Sequence, residues 1–370
     1  KPRRYSEVFR GSKRDAERRE RELRGQLDNN LFVDPRVGTV ADYLERWLAD
    51  YCPAAVTERT LHRYTLIVRL HLIPRLGHRK LAELSPLDIE EAKRFWLEEG
   101  SRRTPGKGLH PQTVKHHLTV LHSALRQAVR WRLLSWNPCD AVGNVKVPRA
   151  RKQALDVDEA NMLIEALKDH ELGRLFRLAM VTGMRPGEYL GLRWADVDLK
   201  SKRLTVRQGV WQRNRKDVRV VGVKSHRSER PISLTDGEVE LLKAQWRAQE
   251  RERSVAGDAW EDWGLVFADP GGRPLDYYRV RRDFRSLLES AGLPEVTPYS
   301  LRRTMASIMH ALGYPAGTIA ARMGHADTQV LFRHYIKEFE EQDREAAEGM
   351  AAALRGRQRT RSALETAEEG

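Results

Sequence analysis

Residues 322–335, RMGHADTQVLFRHY, bring together residue types that could act in catalysis. Gly324 can end a helix, His325 follows at the turn, and Tyr335 lies ten residues after the histidine in a short polar helix. In one interpretation Tyr335 is an ordinary core tyrosine. In the other it is a nucleophile, and His325 assists the group that it attacks. This stretch alone does not decide between the two.

A second candidate lies in VTGMRPGEYLGLRW, residues 181–194. Gly183 can end one helix and Pro186 can begin the next, with Glu188 in its first turn. This places Arg185 at a helix amino terminus, where free backbone amides and the helix dipole favour an anion. A surface arginine at a tight turn is the alternative.

Two further basic segments follow. In VKSHRSERPISL, Lys224 and Arg230 are predicted to flank a tight turn between two short strands. Such a tip commonly contacts phosphates, and a lysine whose pKa is lowered by cationic neighbours could also donate a proton. In TPYSLRRTMASIMHALG, Thr297 is expected to open a helix that carries Arg302 and Arg303. Adjacent helical residues point in different directions, so at most one should enter a shared pocket.

Neither a metal nor another cofactor is predicted. The nine-residue gap between His325 and His334 is not a recognised ligand spacing. The sequence contains no G-x-x-x-x-G-K-[ST] and no G-x-G-x-x-G loop. Only Cys52 and Cys139 occur, which argues against a disulfide framework and fits a reducing cytoplasm.

Length and charge narrow the class of protein. A chain of 370 residues favours two or three domains. Lys plus Arg exceed Asp plus Glu by 66 to 52, a net charge of +14 that indicates nucleic acid or an anionic membrane surface as partner. The low mean hydropathy and lack of a long apolar run argue against a spanning helix, and no secretory segment opens the chain.

The elements that must position these residues fall into two blocks. Residues 37–143 predict four amphipathic helices, hence an all-α domain, with caps at Thr39, Thr57 and Ser85. After a basic linker at 144–154, residues 155–345 predict helices, then short strands, then helices. The fold class is therefore mainly α, with a small antiparallel sheet in an α+β second domain.

The ends of the chain lie outside these two blocks. Residues 1–36 form a basic segment that begins with lysine and not methionine, so a piece before it is expected to be missing. Residues 346–370 include an alanine-rich stretch. A helix exchanged with a neighbouring protomer and a frayed terminal helix are equally open for this tail.

Taken in order, these motifs resemble the tyrosine recombinase family, the phage-type integrases. TGMRPGEYLGLRWADVD resembles its first-arginine segment and VKSHRSERPISL its lysine hairpin. YSLRRTMAS matches its H-x-x-R box, with Tyr299 where histidine is usual, and MGHADTQVLFRHY matches its glycine-histidine segment and nucleophile. The resemblance covers about residues 38–345. The helical block is similar to the family's core-DNA-binding domain, and GSKRDAE to the tail of its arm-site-binding domain.

The resemblance implies a site-specific recombinase or integrase that cuts and rejoins duplex DNA through a 3′-phosphotyrosyl link, without metal or ATP. Six residues are implied to be catalytic: Arg185, Lys224, Tyr299, Arg302, His325 and Tyr335. The two arginines would clamp the nonbridging phosphate oxygens, because planar guanidiniums offer paired donors. Tyr335 would attack, Lys224 would protonate the departing 5′-oxygen, and His325 would hydrogen-bond the phosphate or move a proton.

Tyr299 departs from the family pattern. Its hydroxyl can still donate to a phosphate oxygen, but a phenol is a poor base at neutral pH. We interpret it as a tolerated variant, with a slower enzyme or an altered proton path as the alternative.

The implied partners are double-stranded DNA attachment sites, a homo-tetramer on that DNA, and accessory DNA-bending or directionality proteins, with no membrane. The two domains would close around the duplex in the cytoplasm, on the nucleoid, with the linker along the backbone. Nine residues are predicted to contact DNA: Lys115, His116, Arg126, Lys146, Arg149, Arg151, Lys152, Arg230 and Arg303.

Two alternatives stay open. A type IB topoisomerase would use the same residue types to relax supercoils as a monomer. A DNA-binding regulator of the same fold would be catalytically weak. The core-binding helices argue against the first, and the full set of catalytic residue types argues against the second.

Overall fold

The structure is a computed structural model that describes residues 8, 10–28, 38–148, 154–214, 217–222, 229–324, 348, 350 and 351. The chain divides into two compact units between Ala150 and Arg151, each with its own hydrophobic core. This division falls inside the predicted linker at 144–154. The boundaries of the predicted domains stay predictions.

The first unit is built from helices. Its α-helices are α1 (Lys13–Asp28), α2 (Val40–Arg46), α3 (Cys52–Ala55), α4 (Glu58–Ile67), α5 (Ile73–Leu76), α6 (Pro86–Glu98) and α7 (Pro111–Arg130). The three predicted caps are confirmed. Thr39 and Ser85 each form a reciprocal capping box with an aspartate three residues later, and the Thr57 hydroxyl accepts from the Thr60 amide.

A π turn joins α4 to α5 at Val68–Leu72, and another joins α2 to α3 at Trp47–Tyr51. A proline follows each turn, and a proline ring in a helix removes a donor and clashes with the carbonyl four residues earlier. Ile73 accordingly donates to the Val68 carbonyl, five residues back. The extra residue rotates the apolar face. Val68 and Leu72 are fully buried, whereas Leu70 between them is 39% exposed.

His117 on α7 is a polar side chain inside the first core. Its ring stacks on His71 at 4.3 Å and meets Trp96 edge-on at 5.3 Å. Nδ1 of His117 has no hydrogen-bond partner among the described residues. Burial, with smaller contributions from the neighbouring His71, His116 and Arg63, lowers the pKa of His117 to about 3.

We expect the first unit to lose stability in mild acid because of His117. The unfolded imidazole takes up a proton near pH 6.5 and the folded one does so only near 3, so stability is present above 6.5 and is lost as pH falls. Between pH 7 and 5 the free energy of unfolding should fall by about 2 kcal/mol from this group. Urea unfolding followed by tryptophan fluorescence measures it. An equal loss in His117→Gln would show another cause.

The second unit mixes helices and strands. Its α-helices are α8 (Val157–Ala166), α9 (Gly173–Thr182), α10 (Pro186–Leu190), α11 (Asp236–Ala256), α12 (Tyr277–Ser290), α13 (Ser300–Ala311) and α14 (Ala316–Met323). Its strands are β1 (Val197–Asp198), β2 (Arg203–Val206), β3 (Gln208–Asn214), β4 (Asp217–Gly222) and β5 (Arg230–Ser233). The predicted mainly helical fold with small antiparallel sheets is confirmed. Within the described ranges, no helix is both long and apolar enough to cross a bilayer.

The strands form two antiparallel sheets, one in the order β1-β2-β5 and one that pairs β3 with β4. The hairpin predicted from β4 and β5 is wrong, because those strands belong to different sheets. The turn predicted between them lies outside the described residues. Burial explains the choice. Leu204 of β2 lies opposite Ile232 of β5, and both enter the core, whereas the last four residues of β4 are exposed.

Candidate active site

Arg185 lies where one helix ends and the next begins. Gly183 ends α9 in the left-handed conformation at φ 65°, and Arg185 precedes the first residue of α10. The Arg185 amide donates to Glu188 Oε2 over 2.9 Å, and Nη1 donates to Oε1 over 2.7 Å. The predicted helix stop and start are confirmed, and the first-turn carboxylate holds the arginine by both backbone and side chain.

Gly187 in α10 and Gly191 directly after it allow this helix to pack on the backbone of β3. A Cβ at Gly187 would lie 2.9 Å from the Val210 carbonyl oxygen, and one at Gly191 would lie 2.8 Å from Gly209. Contacts this close require glycine. The β3–β4 hairpin is therefore fixed against the helix that begins beside Arg185.

Glu188 is a buried carboxylate shared by two arginines. Besides Arg185, it accepts from Arg230 of β5, whose Nη2 lies 2.8 Å from Oε2 and whose Nη1 lies 3.3 Å from Oε1. Burial raises the pKa of Glu188, but the hydrogen bonds and charges of Arg230 and Arg185 outweigh it and hold the pKa below its usual range. Glu188 is therefore ionised at neutral pH.

Arg302 of α13 is fully buried. Its Nη1 donates to the Gly183 carbonyl over 2.7 Å, and its Nη2 donates to the Met323 carbonyl. Nε has no partner among the residues that the structure describes. Burial, and then the charge of Arg185, lowers the pKa of Arg302 to about 10, so this guanidinium stays protonated at neutral pH.

The end of α14 meets the same group. Gly324 ends the helix at φ 65°, as the sequence predicts. The last carbonyls of a helix need partners from outside it. Arg230 Nε donates to the Arg322 carbonyl over 2.8 Å, and Arg302 donates to the next carbonyl, that of Met323. Two buried arginines thus cap the helix whose last residue, Met323, is two positions before His325 in the sequence.

We expect Gly324→Ala to be destabilising for two reasons that can be separated. The left-handed backbone costs about 1–2 kcal/mol for alanine. A Cβ would also lie 2.9 Å from Cδ and Nη1 of Arg230. The Arg230 guanidinium is held by Glu188 and by the Arg322 carbonyl. Gly313 has a similar φ of 79° with nothing within 4 Å of its Cβ position. Urea unfolding should show Gly324→Ala at least about 1 kcal/mol less stable than Gly313→Ala. Equal losses would mean that Arg230 adapts freely.

The predicted divergence of Arg302 and Arg303 is confirmed, since only Arg302 is buried. Arg303 is half-buried and lies over the ring of Tyr299, four residues earlier, with 5.3 Å from the Arg303 Cζ to the ring centroid. The helix begins at Ser300 and not at Thr297 as predicted. The Ser300 amide donates to the Thr297 carbonyl and closes a turn ahead of the helix. Tyr299 is therefore the residue before the helix.

The other predicted residues lie in several settings. Lys115, Arg126 and Lys146 are exposed, and His116 is half-buried between Arg63 and Gln112. Arg230 is not at an exposed hairpin tip, where its prediction as a phosphate contact placed it, because its side chain is 5% exposed and engaged with Glu188. Six predicted residues lie outside the described residues: Arg149, Arg151, Lys152, Lys224, His325 and Tyr335.

Arg322 is a structural residue that the sequence reasoning missed. Its Nη2 donates to the Val181 carbonyl at the end of α9 over 2.9 Å and reaches the Ser233 carbonyl of β5 at 3.4 Å. A single charge in the small-residue helix AGTIAARM was the available signal. In the described part of the chain, no three His, Cys, Asp or Glu side chains converge on a metal site.

Two family models match these units. The model of the phage integrase family covers residues 153–342, and that of the phage integrase N-terminal SAM-like domain covers residues 39–97. The chain belongs to the phage integrase family. The resemblance predicted from the motifs is confirmed, and the protein is a site-specific tyrosine recombinase, an enzyme that cuts and rejoins DNA.

Relatives extend the match along the chain. An integrase of Streptomyces ambofaciens is 31% identical over 348 residues, covering 90% of this recombinase and 85% of the relative. A XerC-like tyrosine recombinase of Caldanaerobacter subterraneus is 25% identical over 360 residues, covering 92% and 90%.

Solved structures share the fold. The Tn1549 transposon integrase in complex with a circular intermediate DNA superposes with a TM-score of 0.71 at 16% identity, over 85% of this recombinase and 99% of that chain. A lambda integrase tetramer bound to a Holliday junction gives a TM-score of 0.57 at 17% identity, over 89% and 90%.

Proposed function

We propose that Arg185 and Arg302 hold the scissile phosphate of duplex DNA, and that Tyr335 attacks it. The observation that carries this proposal is a surplus of positive charge around one buried carboxylate. Three guanidiniums, those of Arg185, Arg230 and Arg302, surround the single carboxylate of Glu188. Such a cluster favours a dianionic transition state over the singly charged ground state, because preorganised donors act most strongly where charge develops.

The proposed reaction conserves the energy of the phosphodiester. The Tyr335 oxygen bonds to phosphorus, the bond to the 5′-oxygen breaks, and Lys224 gives that oxygen its proton. The phenol gives its own proton to water or to His325 as it attacks, and the cationic surroundings stabilise the phenolate that forms. The product is a 3′-phosphotyrosyl ester and a free 5′-hydroxyl. Attack by a 5′-hydroxyl from another strand reverses these steps and rejoins the DNA without ATP or metal.

His325 and Tyr299 have supporting roles in this proposal. His325 is the residue after Gly324 in the sequence, and Gly324 ends the helix that Arg230 and Arg302 cap. We assign it a hydrogen bond to the phosphate or a part in proton transfer. Tyr299 precedes α13 and donates its hydroxyl to a phosphate oxygen, which replaces the donor but not the basicity of the histidine usual there.

We further propose that the enzyme works as a homo-tetramer on attachment-site DNA at the bacterial nucleoid. Lambda integrase is a tetramer on a Holliday junction in one of the similar structures, which supports this assembly. Residues 37–143 would bind the core site, 155–345 would carry catalysis, and the linker at 144–154 would follow the DNA backbone. Lys115, Arg126 and Lys146 are exposed, as DNA contacts must be. DNA-bending or directionality proteins would be accessory partners.

A paired assay tests the proposal. The chain is given a plasmid with two candidate attachment sites, and a matched supercoiled plasmid without them. Recombined products from the first and no site-independent relaxation of the second are expected. Relaxation without recombination would identify a topoisomerase, and binding without covalent adducts would identify a regulator.

A further inference from the structure

We propose that Arg230 is a positioning residue of the recombination reaction. It positions Arg185 through Glu188, and it positions the carboxyl end of α14 through a hydrogen bond to a backbone carbonyl there. This inference rests on the proposed role of Arg185 at the scissile phosphate. It replaces the expectation that Arg230 contacts DNA at a hairpin tip.

The geometry of Arg230 leads to this assignment. All three of its guanidinium nitrogens are engaged within the protein. Nη2 and Nη1 donate to the two oxygens of Glu188 at 2.8 Å and 3.3 Å, and Nε donates to the Arg322 carbonyl at 2.8 Å. The side chain is 5% exposed, so it does not offer a surface to the DNA backbone. A planar fork is needed to reach a carboxylate and a carbonyl together.

Glu188 transmits this position to Arg185. Oε2 of Glu188 accepts from Arg230 and from the Arg185 amide at 2.9 Å, and Oε1 accepts from Arg185 Nη1 at 2.7 Å. A carboxylate held from one side by β5 can present its other bonds in one orientation only. The side chain of Arg185 is 34% exposed and that of Arg230 is 5% exposed, so Arg185 and not Arg230 is open to a ligand.

A second link runs from Arg230 to the end of α14. Arg230 and Arg302 donate to the consecutive carbonyls of Arg322 and Met323. The Arg230 side chain also packs against Gly324, where a Cβ would lie 2.9 Å from it. Arg230 is therefore the one described side chain in contact with both the carboxylate of α10 and the carboxyl end of α14.

The test combines Arg230 variants with Arg185→Lys. Arg230→Met should slow single-turnover formation of the covalent adduct on a nicked suicide substrate by about 10²-fold, since misplacing a catalytic group by about 1 Å has that effect. In an Arg185→Lys background the same change should slow it by a clearly smaller factor, because one of the two groups that Arg230 positions is already gone. Arg207→Met is the matched control. This variant breaks an ion pair with the buried Asp196 of the same unit, and Arg207 makes no described hydrogen bond to Glu188. Its effect should therefore be the same in both backgrounds.

The pH profile distinguishes positioning from folding. The charged side chains that face Glu188 are those of Arg185 immediately before α10, Arg230 on β5 and Arg302 on α13. The acidic limb of the pH profile is the range in which the cleavage rate falls as Glu188 takes up a proton. With Arg230→Met the pKa of Glu188 should rise, so this limb should move to higher pH by at least about one unit. Arg230→Lys keeps the charge but not the fork, and should shift the limb less. In Glu188→Gln the limb should not respond to Arg230.

Additive effects of Arg230→Met and Arg185→Lys, or an acidic limb that does not move, would overturn the inference. Arg230→Lys keeps the test informative if Arg230→Met does not fold, because circular dichroism and thermal melting report the folded fraction of each. Failure of the proposed function looks different. In that case Arg185→Lys alone leaves the rate of adduct formation unchanged in the otherwise intact chain.

Discussion

Tyr335→Phe is expected to abolish the covalent adduct with a nicked suicide substrate while DNA binding is retained. Removal of one oxygen removes the atom that bonds to phosphorus, and a benzene ring offers no substitute nucleophile. A loss of at least about 10⁴-fold in single-turnover adduct formation is the expected result. Denaturing gels of labelled substrate measure the adduct, and mobility shifts measure binding.

Tyr299→Phe is the matched control for this change. Tyr299 lies in contact with Arg303, three residues before the buried Arg302, so it is a described phenol close to the arginine cluster. It should retain adduct formation with a slower rate, because it loses only a donor. An adduct that persists in Tyr335→Phe and disappears in Tyr299→Phe would move the nucleophile to Tyr299.

Arg302→Met is expected to remove most cleavage and to destabilise the second unit at once. Loss of a preorganised donor at a developing charge costs about 10²–10³-fold in rate. The change also strands the buried carbonyls of Gly183 and Met323, at about 1–3 kcal/mol each. Single-turnover cleavage and urea unfolding measure the two effects on the same preparations.

Arg303→Met provides the comparison for Arg302. It sits on the next position of α13 with the same helix propensity, but it is half-buried and stacks on Tyr299. As a predicted DNA contact it should weaken binding, but its effects on unfolding and on cleavage at saturating enzyme should both be small. Comparable losses from the two variants would contradict the assignment of the phosphate clamp to the buried arginine.

The local parts of the site were predictable from the sequence. Helix stops at Gly183 and Gly324 and the start at Pro186 follow from backbone preferences that act within a few residues. Arg302 was separated from Arg303 by helical direction alone. The caps of the first unit were predictable for the same reason, because a capping residue and its partner lie three positions apart.

The long-range parts were not predictable in this way. Arg230 was expected at an exposed tip, because β4 and β5 are neighbours in sequence. Its burial depends on the pairing of β5 with β2, which brings it opposite Val206 and beside Glu188. No local pattern in ERPISL encodes that pairing.

The two carbonyl bonds of Arg302 have a consequence for how its guanidinium meets a phosphate. Each of Nη1 and Nη2 carries two N–H groups, so a nitrogen that donates to the Gly183 or Met323 carbonyl keeps a second hydrogen for another acceptor. Nε has no partner among the described residues. We expect a phosphate to bind the proposed clamp without breaking either carbonyl bond, so that the side chain is already in place when DNA arrives.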